Sequence, residues 1–184
     1  MLSSDKSFVQ AYNAQAVVDS ANQIIVATEV SNQAADTPRL PGIVESAIKN
    51  LGYRPWELSA DAGYFSAGNL AYLQEREIDA YIATGKMKHG EYRNAKAPRG
   101  PIPKGLSTRE KMKRKLITVK GRAKYGLRKI TVEPVFGQIK SAQGFRQFNL
   151  RSLEKVNAER NLVCTAHNLR KLFRVQDKAR RVMR

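Results

Sequence analysis

The sequence predicts an α/β fold in which a mixed sheet is flanked by helices and followed by a helical C-terminal part. Three observations carry this. A pair of strand-like runs opens the chain, short apolar runs then alternate with amphipathic stretches, and from Thr108 onward the periodicity is helical.

Within "FVQAYNAQAVVD", Phe8 to Asp19, a period of two puts Tyr12, Ala14, Ala16 and Val18 on one face. The turn-prone "SAN" and the β-branched "QIIVATEV" to Val30 make this a hairpin. Pro38 and Pro41 mark a helix start, where a missing N–H costs nothing, and Ile43, Val44, Ala47, Ile48 and Leu51 continue the helix to a stop at Gly52. "WELSAD" reads as a short buried strand ending in Asp61, Ser66 as the N-cap of "AGNLAYLQER", and "IDAYIAT" as another strand.

From Gly85 the text becomes Pro-, Gly- and Lys-rich without periodicity, which predicts a basic insertion loop over 85–107. Residues from Thr108 to Ala142 are helical in two pieces. Ser152 then opens a long helix with an expected apolar face of Val156, Val163, Ala166, Leu169 and Phe173, and with Arg160, Arg170 and Lys171 turned away from it. The organisation expected is one domain over 1–174 and a frayed basic tail, 175–184.

Charge is divided by position. Of a net +17 over 184 residues, residues 1–83 contribute −5 and residues 84–184 contribute +22. An acidic body joined to so basic a half predicts a polyanion partner, with nucleic acid ahead of membrane surface. No run approaches the roughly 18 consecutive apolar residues of a membrane span, and no leader pattern opens the chain, so a cytoplasmic, non-membrane protein is expected. Cys164, alone in a helical pattern, reads as a small buried hydrophobe. His89 and His167 lack metal-ligand spacing, and Trp56 reads as a packing residue.

Two carboxylates stand out. Asp61 sits at the carboxyl end of a predicted strand, where open α/β sheets place their functional crevice, although capping the turn before Gly63 accounts for it equally well. In "KYGLRKITVEPVFGQIK" the one acid, Glu133, lies among Tyr125, Arg128 and Lys140. On a regular helix Glu133 and Lys140 are two turns apart and share a face, an arrangement suited to a metal beside a phosphate.

"ADAGYFS" and "VEPVFGQIK" resemble the second and third acidic motifs of DDE-type transposases of bacterial insertion sequences, and "YNAQAVVD", "IIVATEVSNQAADT" and "DAYIATGKMKHGE" resemble the stretches between those motifs. The likeness runs from about residue 8 to 174. It implies an RNase H-like mixed sheet and three carboxylates holding two divalent cations, Mg²⁺ or Mn²⁺, for cleavage and strand transfer at a DNA phosphodiester. Asp61 matches the second acid and Glu133 the third. Tyr125, Arg128 and Lys140 resemble the family's DNA-contacting residues, but four residues rather than three separate Arg128 from Glu133, so Lys129 competes for its place.

The family's first Asp lies on a strand upstream of the hairpin. Asp5 follows no strand pattern and Asp19 matches the hairpin turn, so the expectation is a transposase piece lacking its first strand and first acid, and inactive alone. The alternative is a non-catalytic DNA-binding remnant or a domesticated derivative. DNA-backbone contacts are expected from Lys86, Lys88, Arg109, Lys111, Lys113, Arg114 and Lys115. The resemblance further implies transposon ends and target DNA as partners, a possible homodimer, and nucleoid association when DNA-bound.

Overall fold

The computed structural model describes residues 11–85 and 95–182; Asp5, Phe8, Lys86, Lys88 and His89 lie outside the described residues. In chain order the elements are β1 (Asn13–Val18), β2 (Ile25–Ser31), α1 (Leu40–Leu51), β3 (Glu57–Ala60), α2 (Ala67–Glu75), β4 (Asp79–Ile82), α3 (Thr108–Leu116), α4 (Val119–Gly137) and α5 (Leu153–Val182). Short 3-10 turns precede α1 and α2, and a π turn, Gln138–Ala142, follows α4. The described residues up to Ala34 and those from Thr131 form one compact unit, and Ala35–Ile130 form a second.

In the first unit β1 and β2 pair antiparallel, with an irregularity in register between Val17 and Val18. Asp19 builds the turn: its carboxylate accepts the N–H of Asn22 (2.7 Å) and of Ala21 (3.2 Å). The predicted inward face holds, since Ala16 and Val18 join Ile25, Val135, Ile139, Cys164 and Phe145 in one cluster, and Tyr12 meets the edge of Phe148. The opposite face carries Gln15, which is also buried.

The face that α5 turns inward holds Val156 and Val163 of the expected one and otherwise differs from it. Val156, Arg160, Cys164 and His167 are buried, whereas Leu162, Ala166, Leu169, Leu172 and Phe173 are exposed. The reason is what β2 offers. Its outer edge is a row of peptide groups, and α5 meets them with polar side chains. Asn168 donates to the Ile25 carbonyl and accepts from the Ile25 N–H, both at 2.8 Å, and Asn157 accepts from the Val30 N–H at 3.1 Å. Arg160 donates to Thr28 Oγ1 (3.1 Å) and lies over the Phe136 ring, its guanidinium pKa lowered by burial. The expected frayed tail is helical as far as Val182.

In the second unit β3 and β4 pair parallel, with Glu57 opposite Asp79 and Ala60 opposite Ile82. Leu40 and Val44 of α1, Leu73 of α2, Tyr81 and Ile82 of β4, and Met112 and Leu116 of α3 form its core. Gly52 ends α1 in the left-handed conformation (φ 73°), donating to the Ile48 carbonyl. The parallel register sets two carboxylates side by side, and lysines gather on them: Lys124 bonds Glu57 at 2.5 Å, while Lys115 and the Tyr81 hydroxyl bond Asp79. These pairs tie α3 and α4 to the strand pair. Gly121 allows the tight approach of the two helices, because a Cβ there would overlap the Lys115 carbonyl.

The expected single mixed sheet is thus divided. Among the described residues there are two two-stranded sheets, one in each unit, and the edge of β2 is occupied by asparagines of α5 rather than by a strand. Trp56 is 76% exposed with the Arg54 guanidinium over its ring, so it is not a core packing residue.

His167 makes the first unit pH-sensitive. Its Nε2 lies 3.0 Å from the Gln23 carbonyl, a contact that an Nε2–H satisfies, and burial followed by the charges of Lys171, Arg170 and Arg160 pushes its pKa below the ordinary value. A folded-state pKa below the unfolded one gives stability that is full above about pH 6.5 and declines as the pH falls from there. Urea midpoints measured from pH 8 to pH 5 are expected to show that decline, and His167→Gln to flatten it over the same range.

Candidate functional site

The carboxyl end of β3 presents Asp61 as the N-cap of the 3-10 turn Ala62–Tyr64. Its Oδ1 accepts the Ala62 N–H at 2.8 Å and its Oδ2 accepts from Arg128 Nη1 at 3.3 Å. The carboxylate is 60% exposed, while Arg128 is only 20% exposed and lies over the Tyr125 ring. Asp61 therefore caps its turn and also holds Arg128, which in turn lies over Tyr125. Of the residues expected beside the third acid, Arg128 bonds the second.

The loop carrying Asp61 is held from behind. Gly63 packs so closely on Asp36 that a Cβ would overlap its carboxylate, and Thr37 Oγ1 donates to the Gly63 carbonyl at 2.7 Å. Asn69, buried at 6% exposure, donates from Nδ2 to the carbonyls of Thr37 and Tyr64, both at 2.8 Å. Ser66, the predicted cap, accepts the Asn69 N–H at 3.0 Å. Asp36, Thr37 and Asn69 were not visible as site residues in the sequence. Asp36 and Thr37 lay in the polar "NQAADT" ahead of a proline, which reads as loop composition alone, and Asn69 lay in the first turn of a predicted helix.

Helix α3 begins with a full capping box, Ser107 and Glu110 each holding the other's backbone N–H. The side chains of Arg109, Lys111 and Lys113 are exposed, and the Arg109 guanidinium sits 5.5 Å above the Phe65 ring, next to the Asp61 loop. Arg114 and Lys115 depart from the expected DNA-facing set. The Arg114 guanidinium donates to the carbonyls of Arg99, Gly100 and Pro101, and the Lys115 ammonium is taken up by Asp79 and, at 2.7 Å, by the Ala80 carbonyl. Lys129 is exposed on α4.

Glu133 and Lys140 belong to the other unit, and both are exposed. Their expected alignment on one face is altered. Pro134 follows Glu133 inside α4 and has no N–H to donate, and regular α geometry ends at Gly137, where the π turn takes over. An i→i+5 turn rotates each residue less about the axis than an α turn does, so seven residues no longer close two turns.

The donors around Asp61 do not match the Mg²⁺ or Mn²⁺ that the resemblance implies. Among the described residues no three His, Cys, Asp or Glu side chains converge. One Asp61 oxygen accepts a backbone N–H and the other faces a guanidinium. This set balances a guanidinium and does not by itself form an oxygen cage for a divalent cation.

Residues 102–173 match the family model described as "Transposase DDE domain", which supports a DDE-type transposase. No curated protein and no solved structure matches the chain. No helix among the described residues is long and apolar enough to cross a membrane.

Asn69→Ala removes both clamps and leaves two carbonyls to be resolvated. It is expected to cost about 1–3 kcal/mol in urea unfolding and to raise hydrogen exchange in residues 62–65, with α5 amides unchanged.

Proposed function

From a chain whose residues 102–173 match the transposase DDE domain, we propose that this protein is part of an insertion-sequence transposase core and that its own activity is binding of the DNA backbone. One observation carries this reading. The second unit sets the exposed cations of α3 beside the loop bearing Asp61, with Arg109 over Phe65 as the join. A phosphate run along α3 would reach Arg109 and Lys113, one turn apart on one face, and bring a phosphodiester toward Asp61, where Arg128 supplies a further donor. Such contacts fix position and carry no sequence information.

In the family, divalent cations supply activation of the attacking oxygen and stabilisation of the leaving one. This chain's residues do other things: Asp61 orients Arg128, and the α3 cations bind phosphate. Asp61 and Glu133 are the residues that would join a third acid in cleavage and strand transfer. Among the described residues no third acid converges on them, and we assign this arrangement no cleavage of its own. A non-catalytic DNA-binding derivative remains the second reading, favoured by the guanidinium on Asp61.

Two measurements check this. Affinity for a random duplex should fall steeply with salt, and Arg109→Ala with Lys113→Ala should lower the log–log slope by about 0.9 for each residue. Supercoiled plasmid incubated with the chain and Mg²⁺ or Mn²⁺ should stay intact. Nicking that disappears in Asp61→Asn and Glu133→Gln would show instead that the two acids suffice.

A further inference from the structure

The Arg114 guanidinium is spent inside the molecule. Nη2 lies 3.0, 3.1 and 3.3 Å from the carbonyl oxygens of Arg99, Gly100 and Pro101, three successive peptides of the basic segment that leads into α3. Carbonyls that converge on one nitrogen belong to a bend, and Gly100 makes that bend possible with φ 75°, a value L side chains rarely adopt. Among its described residues Ala95, Ala97 and Pro98 are half-buried. Its side chains at Lys96, Arg99, Ile102 and Lys104 are exposed, so without the guanidinium the bend would lose its tie to a regular element.

We infer that Arg114 is a positioning residue: it folds the 99–101 bend onto α3, so that Arg99 and its neighbouring cations act with Arg109 and Lys113 as one backbone-binding surface. This rests on the DNA-binding reading above and changes the role of Arg114 within it. Chain entropy is the physical reason. Lysines on an untethered segment must be ordered when they meet phosphate, whereas cations already held in place bind without that cost.

The test compares the full chain with Arg114→Ala and Gly100→Val. The second variant strains the bend without removing any charge, and a side chain at Gly100 meets no atom within 4 Å. Two quantities are read: the salt slope of binding to a random duplex, and the rate of trypsin cleavage after Arg99 and Lys104 without DNA, followed by mass spectrometry. Both variants should be cleaved at least about tenfold faster at these bonds. Arg114→Ala should lower the slope by more than the ~0.9 of a single phosphate contact, and Gly100→Val should lower it as well.

A slope reduced by about 0.9 or less in Arg114→Ala, with cleavage unchanged, would make Arg114 an ordinary phosphate ligand and overturn the inference. Faster cleavage with unchanged slopes would overturn it too, leaving the bend structural only. Failure of the unaltered chain to bind duplex DNA would instead remove the DNA-binding reading itself.

Discussion

The amide of Asn168, which gives to the carbonyl and takes from the N–H of the same β2 residue, Ile25, is the contact on which the first unit depends. A two-stranded ladder leaves an outer row of peptide groups, and a peptide group out of water needs a partner. An asparagine side chain has one donor end and one acceptor end, like the backbone of the residue it meets, so Asn168 does for Ile25 what a neighbouring strand would do. Asn157 supplies the acceptor half of this at Val30, eleven residues before Asn168, which is three helical turns. That spacing keeps α5 running along the strand. Once those positions face β2, the helix's angular order is settled: Arg160, Cys164 and His167 go inside and Leu162, Leu169 and Phe173 go outside.

The second unit solves its polar problems by register. Parallel pairing sets Glu57 opposite Asp79, two carboxylates that would repel each other without cations between them. Lys115, Lys120 and Lys124 supply those cations, and the last two are one turn apart on α4. At the other end of the same strands the backbone leaves the ladder at Ala60, and Asn69 and Thr37 hold the departing loop. Asp61 is therefore placed by groups that are themselves buried or bonded. Its carboxylate is the exposed tip of a rigid support, and Arg128 is the cation it holds.

Much of the candidate site was legible in the sequence. Asp61 could be found because a carboxylate directly after a short apolar run and before a glycine is a strand-end position, and a strand does end there. Arg128 and Tyr125 were visible by their spacing, yet spacing along α4 could not say that Arg128 bonds Asp61. Arg114 and Lys115 looked like two more members of a basic run. A one-letter code cannot distinguish a cation facing solvent from one directed at a carbonyl or a buried-edge carboxylate. The supports of the loop were invisible for a related reason: Thr37 and Asn69 act through their partners' backbones, and a backbone acceptor leaves no mark on composition.

By itself the sequence determined the local elements, the hairpin turn at Asp19, the stops and caps at Gly52 and Ser66, the uneven charge and the burial of Cys164, because each follows from a residue's own conformational or solvation preference. Only the tertiary structure decided which face of α5 is buried, that the strands form two separate pairs, and which cations are already engaged. Those outcomes depend on groups far apart in the chain. The apolar pattern of α5 favoured Leu169 and Phe173 as its inner face, but the partner it meets is an edge of peptide groups. Hydrogen-bonding capacity, together with the apolar contacts of Val156, Val163 and Cys164, therefore chose the side.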